Sequence, residues 1–133
     1  YVAPSPIEGK FKEDFLIEQI MVVGDNQKFV TALIIPAVEA LKEWCSRHEI
    51  EWTTLEAALK EPKVIEKYRQ RVEKHNEDFG HIDKVKEFSL LATTWDPAKS
   101  DGSEAELTPT MKLKRRVIMQ KHSREIAAMY AEK

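Results

Sequence analysis

Residues 17–36 read IEQIMVVGDNQKFVTALIIP and contain the pattern that decides the fold. Two runs rich in apolar and β-branched residues, Ile17–Val23 and Phe29–Ile35, are separated by the turn-forming sequence Gly24-Asp25-Asn26-Gln27. Runs of this composition form strands, and a short polar break between them favours an antiparallel hairpin. Pro36 ends the second strand because it has no amide hydrogen to donate to a sheet. The stretch predicts a β-hairpin that is buried on at least one face.

Helical patterns lie on both sides of this hairpin. Ser5-Pro6-Ile7-Glu8 fits a capping box and predicts a short helix from Pro6 toward Asp14. Apolar residues at helical spacing predict a helix from Val38 to about His48. Between Trp52 and Gly80 they predict a short helix that begins after Thr53 or Thr54 and then a longer helix that carries Val64, Ile65, Tyr68 and Val72.

The C-terminal third predicts a further strand, a loop and a closing helix. Val85–Trp95 is rich in Val, Leu, Phe and Thr, which favours a strand, and Asp96–Ala105 has the composition of a mobile loop. A helix is expected from Leu113, with Ile118, His122, Ile126 and Met129 on one face. We therefore predict an α+β fold: one small domain over residues 1–133, with a short β-sheet flanked by helices.

Composition excludes several classes of function. The 21 basic residues are outnumbered by 23 acidic ones, which argues against a nucleic-acid-binding surface. Cys45 is the single cysteine, so an internal disulfide is impossible and a reducing compartment is expected. No stretch has the roughly 20 apolar residues that span a bilayer, and no signal peptide opens the chain. The prediction is a cytoplasmic protein with no transmembrane segment, for which peripheral membrane association stays open.

Sites for phosphate or metal are missing from the sequence. None of the four glycines lies in a glycine-rich strand-to-helix turn, so we expect that this chain cannot hold ATP alone. The four histidines lack the spacing of metal ligands, and no metal site is predicted. Glu104 and Glu106 are interpreted as solvated loop residues without a catalytic role.

Residues 107–116 read LTPTMKLKRR and carry the candidate chemistry. Pro109 restricts the path of the chain, and Thr110 is expected to cap the following helix. Lys112 would then lie at the helix start, where the macrodipole disfavours a cation by up to about 1 kcal/mol. A bound anion would relieve this unfavourable interaction.

The same segment resembles the C-terminal lysine motif of the AMP-forming adenylate enzymes, and its Thr-Pro-Thr-x-Lys-Leu-Lys-Arg order is similar to that of long-chain fatty acyl-CoA synthetases. Tyr1–Glu8 resembles the end of the motif that follows the hinge between their large and small domains, and MVVGDNQKFVTALIIP is similar to their C-terminal domain. In most relatives a glycine precedes the lysine, whereas this chain has Met111.

The resemblance implies a mobile C-terminal lid domain of a long-chain fatty acid–CoA ligase. In such enzymes ATP and Mg²⁺ activate a fatty acid as an acyl-adenylate, and the lid then reorients for thioester formation with coenzyme A. Lys112 is the implied catalytic residue. Thr108, Thr110, Lys114 and Arg115 are candidate substrate or phosphate contacts. A large N-terminal domain of the same polypeptide, absent from this chain, would bind ATP and the acyl chain, so the isolated domain is expected to be inactive.

Two alternatives stay open. The chain could be a free-standing, non-enzymatic interaction module whose basic loop, residues 108–116, binds an acidic partner. It could also belong to an acid-activating enzyme that feeds a carrier protein or another thiol, because such an enzyme would share the lysine. The sequence of the lid alone does not distinguish acceptor thiols or acyl chain lengths.

Overall fold

The computed structural model describes residues 2–131, and these form six α-helices, one short 3-10 helix at His81–Asp83 and three β-strands. The chain divides into two compact units, a first unit at Tyr1–Ala92 and a second unit at Thr93–Lys133. Tyr1, which is part of the N-terminal resemblance, lies outside the described residues. The single-domain interpretation stays a prediction.

The first unit is built on a three-stranded sheet. Strand β1 (Ile17–Val23) pairs antiparallel with β2 (Val30–Pro36), and β2 pairs in parallel with β3 (Val85–Leu90). Every residue of the central strand β2 is buried, which explains its continuous apolar composition. The predicted hairpin, the third strand and the α+β class are confirmed. The third strand ends at Leu90 and not at Trp95.

Four helices accompany the sheet in the first unit: α1 (Pro4–Phe11), α2 (Val38–Arg47), α3 (Leu55–Ala58) and α4 (Pro62–Asn76). The hydroxyl of Thr54 accepts a hydrogen bond from the amide of Ala57 at 3.1 Å, so α3 begins after Thr54 as expected.

The predicted capping box at the N-terminus is wrong. Helix α1 begins at Pro4 and has Ala3 at its N-cap, with no side-chain cap. Glu8 is buried, and its Oε2 accepts a hydrogen bond from the amide of Val22 in β1 at 2.7 Å. The glutamate therefore connects the helix to the strand, a contact across 14 positions that a local pattern does not reveal.

A buried carboxylate joins α4 to the segment that precedes β1. Asp14 accepts hydrogen bonds from the amide of Leu16 at 3.0 Å and from Arg71 Nε and His75 Nε2, each at 2.7 Å. Burial alone would raise the pKa of Asp14, but these hydrogen bonds outweigh it and hold the pKa below its usual value. Tyr68 adds a hydrogen bond from its hydroxyl to the Leu16 carbonyl at 2.8 Å.

The second unit contains α5 (Arg115–Lys121) and α6 (Ser123–Tyr130). The closing helix was predicted to be continuous from Leu113, but it begins at Arg115 and is interrupted at His122, where φ is −114°. The indole Nε1 of Trp95 donates to Nε2 of His122 at 3.1 Å, and burial lowers the pKa of this histidine. The buried apolar residues of this unit are Trp95, Leu107, Val117, Ile118, Ile126 and Met129.

Candidate functional site

The predicted lysine motif forms a small hairpin loop in the second unit. Leu107 and Leu113 make an antiparallel bridge, and we call residues 107–113 the lysine loop. Within it the amide of Thr108 donates to the carbonyl of Lys112 at 2.8 Å, and the amide of Met111 donates to the carbonyl of Thr108 at 2.8 Å. The tip is therefore a turn of three residues, Pro109, Thr110 and Met111, with proline at a position that suits its fixed φ.

Thr108 holds the backbone of Lys112 from two atoms. Besides the amide-to-carbonyl bond, its hydroxyl accepts a hydrogen bond from the amide of Lys112 at 3.0 Å. The hydroxyls of Thr108 and Thr110 lie 3.1 Å apart and hydrogen-bond to each other. Thr110 does not cap the following helix, because α5 begins only at Arg115. Both threonines thus stabilise the loop itself.

Met111 is the residue at which the lysine motif departs from the pattern of the family that it resembles, and its backbone has the geometry that glycine favours. Its φ is +68°, in the left-handed region that costs a side-chain-bearing residue about 1–2 kcal/mol. The side chain is 60% exposed, so burial offsets little of this cost. The loop therefore keeps a glycine-type conformation without the glycine.

Lys112 presents an ammonium group that has no partner in the described part of the chain. The residue is exposed, and no hydrogen bond or ion pair of its side chain is found among residues 2–131. It lies in the loop and not at the helix start, because Lys114 is the N-cap of α5. The expected conflict with the helix macrodipole therefore falls on Lys114.

Two of the basic residues after Lys112 pair with a single glutamate. Glu104 lies 3.0 Å from the ammonium of Lys114 and 3.3 Å from the guanidinium of Arg116. The hydrogen bond from Lys114 and then that from Arg116 lower the pKa of Glu104. Arg115 is half-buried at the start of α5. The sequence thus suggested a basic patch, whereas the structure places neutralising charge beside Lys114 and Arg116.

Glu106 was interpreted as a solvated loop residue, and this was wrong. It is only 4% exposed, and its carboxylate lies 2.7 Å from the ammonium of Lys121 and 3.0 Å from that of Lys99. The amide of Asp96 donates to the same carboxylate at 3.1 Å. Burial alone would raise the pKa of Glu106, but the hydrogen bonds from Lys121, Asp96 and Lys99 lower it to about 2.

Glu106 lies at the base of the lysine loop. Its carbonyl accepts a hydrogen bond from the amide of Lys114 at 2.7 Å, just outside the Leu107–Leu113 bridge, while its carboxylate holds the residue in place. Lys121 also donates to the hydroxyl of Ser103 at 2.9 Å and to the carbonyl of Glu104 at 2.6 Å. The sequence offered only one signal for this cluster, an excess of lysines around two glutamates.

Among residues 2–131 no group of three or more histidine, cysteine or acidic side chains is placed to hold a metal ion. None of the helices in that range combines the length and the apolar character that crossing a bilayer requires.

Residues 1–133 match the model of a known family, the AMP-binding enzyme C-terminal domain. The chain belongs to this family. The chain is 32% identical over 130 residues to Long-chain-fatty-acid–CoA ligase FadD15 of Mycobacterium tuberculosis. This alignment covers 97% of this chain and 21% of that ligase. It is 27% identical over 134 residues to Long chain acyl-CoA synthetase 7, peroxisomal, of Arabidopsis thaliana, with 99% of this chain and 19% of the synthetase covered.

The domain therefore spans about a fifth of the length of these curated relatives. Solved structures with the same fold include the A-PCP didomain of carboxylic acid reductase from Segniliparus rugosus in complex with AMP, with a TM-score of 0.70, 17% identity and coverage of 96% of this chain and 16% of that one. The adenylation domain of the reductase from Mycobacterium chelonae gives a TM-score of 0.66 at 17% identity, with coverage of 96% of this chain and 18% of that one. These two structural matches support the fold that the family resemblance implies.

Proposed function

We propose that this AMP-binding enzyme C-terminal domain is the mobile lid of a long-chain fatty acid–CoA ligase. Lys112 supplies positive charge while ATP, with Mg²⁺, converts a fatty acid into an acyl-adenylate. The lid then reorients for thioester formation with coenzyme A. A large N-terminal domain of the same polypeptide binds ATP and the acyl chain. The cytoplasmic location stays a prediction.

The observation that carries this proposal is the unpaired ammonium of Lys112 on a hydrogen-bonded loop. In the described residues its neighbours Lys114 and Arg116 are paired with Glu104, whereas Lys112 has no carboxylate partner. In water the attraction between an exposed cation and a negative charge is weak. At 4 Å and an effective dielectric near 20 the same attraction is worth about 4 kcal/mol. Lys112 therefore acts only when a second body encloses it, which is what a closing lid provides.

The loop also explains how Lys112 is aimed. Catalysis by a preorganised charge requires a fixed position for that charge, because reorganisation during the reaction would cancel the gain. Thr108 contributes to this by fixing the backbone from which the Lys112 side chain extends, through two hydrogen bonds at 2.8 and 3.0 Å. We therefore assign Thr108 to the support of Lys112, and Thr110 to the support of Thr108.

The alternative of an interaction module that binds an acidic partner has less support. Such a partner would need the basic side chains of residues 108–116 to be available, but Lys114 and Arg116 already pair with Glu104. An acid-activating enzyme with a different acceptor thiol would use Lys112 in the same way. The choice of coenzyme A as the acceptor therefore rests on the similarity to CoA ligases and not on the geometry of the loop.

The test compares Lys112→Ala with Lys114→Ala in the full-length ligase. For Lys112→Ala we expect acyl-adenylate formation, followed by pyrophosphate release, to slow by about 10²-fold or more, as when one charge-stabilising donor is lost. Conversion of preformed acyl-adenylate to acyl-CoA should continue. Lys114→Ala should slow adenylation by less than about tenfold, because the ammonium of Lys114 forms an ion pair with Glu104.

An equal loss of both half-reactions in Lys112→Ala would contradict the proposal, since it would place the lysine in a general structural role. A second check uses the 133-residue chain alone. The purified chain should form no acyl-CoA from fatty acid, ATP and coenzyme A, and measurable ligase activity would contradict the need for a large domain.

A further inference from the structure

Met111 has a side chain that the second unit does not itself explain, at a position where the hairpin turn requires a left-handed backbone. Its φ of +68° lies in the region that glycine adopts without cost, and a β-carbon is unfavourable there. The side chain is 60% exposed, so it contributes little packing to the fold. Residues in sparsely populated backbone regions cluster at functional sites, where another contact uses the side chain.

The position of this methionine connects it to the proposed site. Met111 directly precedes Lys112 in the lysine loop, and both residues are exposed. The amide of Met111 is hydrogen-bonded to the carbonyl of Thr108 at 2.8 Å, which fixes the residue in the turn. An apolar side chain and an unpaired ammonium are therefore presented by neighbouring residues of one turn.

The chemistry of the tip indicates the kind of surface that it contacts. Its three residues, Pro109, Thr110 and Met111, are all exposed and carry no charge, although four of the next five residues are basic. An acidic partner would not select an apolar side chain at this point, whereas an apolar surface would bury it. The relative FadD15 has about four-fifths of its length outside the aligned region, so a large second body is available to such a loop.

We propose that Met111 is a positioning residue for Lys112 and docks on an apolar surface of the large domain when the lid closes. The inference rests on the proposed function of the chain. Docking of the methionine excludes water from the ammonium next to it, and a lower local dielectric strengthens the attraction between Lys112 and the developing negative charge. A glycine would form the same turn but would leave this gap open to solvent.

The experiment uses Met111→Gly and Met111→Leu in the full-length ligase. Glycine removes the side chain and suits a positive φ, so the variant should fold at least as stably as the native protein. We expect kcat for acyl-adenylate formation to fall about tenfold in Met111→Gly because water regains access to Lys112, while KM for ATP changes little. Met111→Leu retains an apolar side chain and should keep at least half of the native kcat.

For the single variants, two results would overturn the inference. A Met111→Gly enzyme that adenylates as fast as the native enzyme would mean that the side chain has no role beyond the turn. A Met111→Leu enzyme that is as slow as Met111→Gly would exclude apolar docking. Because glycine relieves the unfavourable φ, unfolding does not explain a slow Met111→Gly enzyme, and a melting curve checks this directly.

A double variant separates this inference from the proposed function. If Met111 acts through Lys112, adding Met111→Gly to Lys112→Ala should cause no further loss of adenylation. A full additional loss would mean that Met111 acts on the substrate directly, and the positioning role would be wrong. If Lys112→Ala is as fast as the native enzyme, the proposed function itself fails, whereas a slow Lys112→Ala with a fast Met111→Gly rejects only the role of Met111.

Discussion

The two units of the chain stabilise their structure in different ways. The first unit is centred on a fully buried strand, β2, and its core cluster is dominated by apolar side chains such as Phe11, Ile34 and Leu41. The second unit has two short helices and a hairpin loop, and ion pairs around Glu104 and Glu106 connect its segments. A small unit buries less apolar surface for its size, so specific polar contacts carry more of its organisation.

This difference bears on function. Under the proposed function the lysine loop must keep its shape while the ammonium of Lys112 has no partner among residues 2–131. Glu106 achieves this by binding Lys99 and Lys121 and by accepting the amide of Lys114 at the loop's base. Apolar burial therefore contributes most to the first unit, whereas charge pairs hold the lysine loop of the second unit.

The largest effect on stability is expected in the strand core of the first unit. Ile34 is fully buried in β2, and Ile34→Ala should lower the free energy of unfolding by about 3–4 kcal/mol through lost burial and a cavity. Urea unfolding of the chain, followed by circular dichroism, measures this loss. Ile82→Ala is the matched control because Ile82 is 70% exposed. Similar losses in both variants would mean that the strand does not form the core.

Removal of the buried charge at Asp14 should have the next largest effect. In Asp14→Asn, Arg71 and His75 lose the carboxylate to which both hydrogen-bond, and we expect a loss of about 3 kcal/mol. Asp78→Asn serves as the control, since Asp78 pairs with Lys10 at an exposed position. If the two asparagine variants unfold at the same urea concentration, Asp14 is not part of the structural framework.

Glu106→Gln should lower the free energy of unfolding by about 2 kcal/mol, and this loss should depend on pH. The pKa of Glu106 falls from 4.5 to about 2 on folding, so the ionised carboxylate stabilises the folded state. Its contribution is complete above about pH 4.5 and is lost as the pH falls toward about 2.

Hydrogen exchange of residues 107–113, measured at pH 6 and pH 3, tests this assignment. Protection of the native loop should decrease more than protection of the variant loop over that interval, because the variant has already lost the charge. Equal decreases in both proteins would assign the acid sensitivity to another group, such as Asp14.

The smallest effect is expected for Glu104→Gln. Glu104 pairs with Lys114 and Arg116 at the surface, where solvent screens both ion pairs. The urea midpoint should be unchanged within error at physiological salt. A clear destabilisation would show that surface charge matters to this unit as much as the buried charge of Glu106.

Local patterns were sufficient for much of the fold, whereas the role of Lys112 stays a prediction. The hairpin, α2 and α4 follow from runs of apolar residues, their spacing and the turn residues between them, and each of these signals lies within a short window. The order of residues in the lysine motif likewise placed Lys112 in a proline-containing loop next to a helix. The left-handed turn at Met111 was not predicted, although the glycine that the resemblance implies at this position was the signal that could have indicated it.

The sequence by itself therefore determined the strands and the main helices, because these depend on short-range periodicity and turn chemistry. The choice of Lys112 as the candidate residue rested instead on the resemblance of residues 107–116 to a family motif. Only the tertiary structure decided the parallel pairing of β3, the buried roles of Asp14 and Glu106, and the start of α5 after the loop closes between Leu107 and Leu113. Asp14 meets His75 across 61 positions, and Glu106 meets Lys121 across 15. Contacts at such separations form only when the chain packs, since burial removes the competing water and leaves only protein groups as partners for each carboxylate.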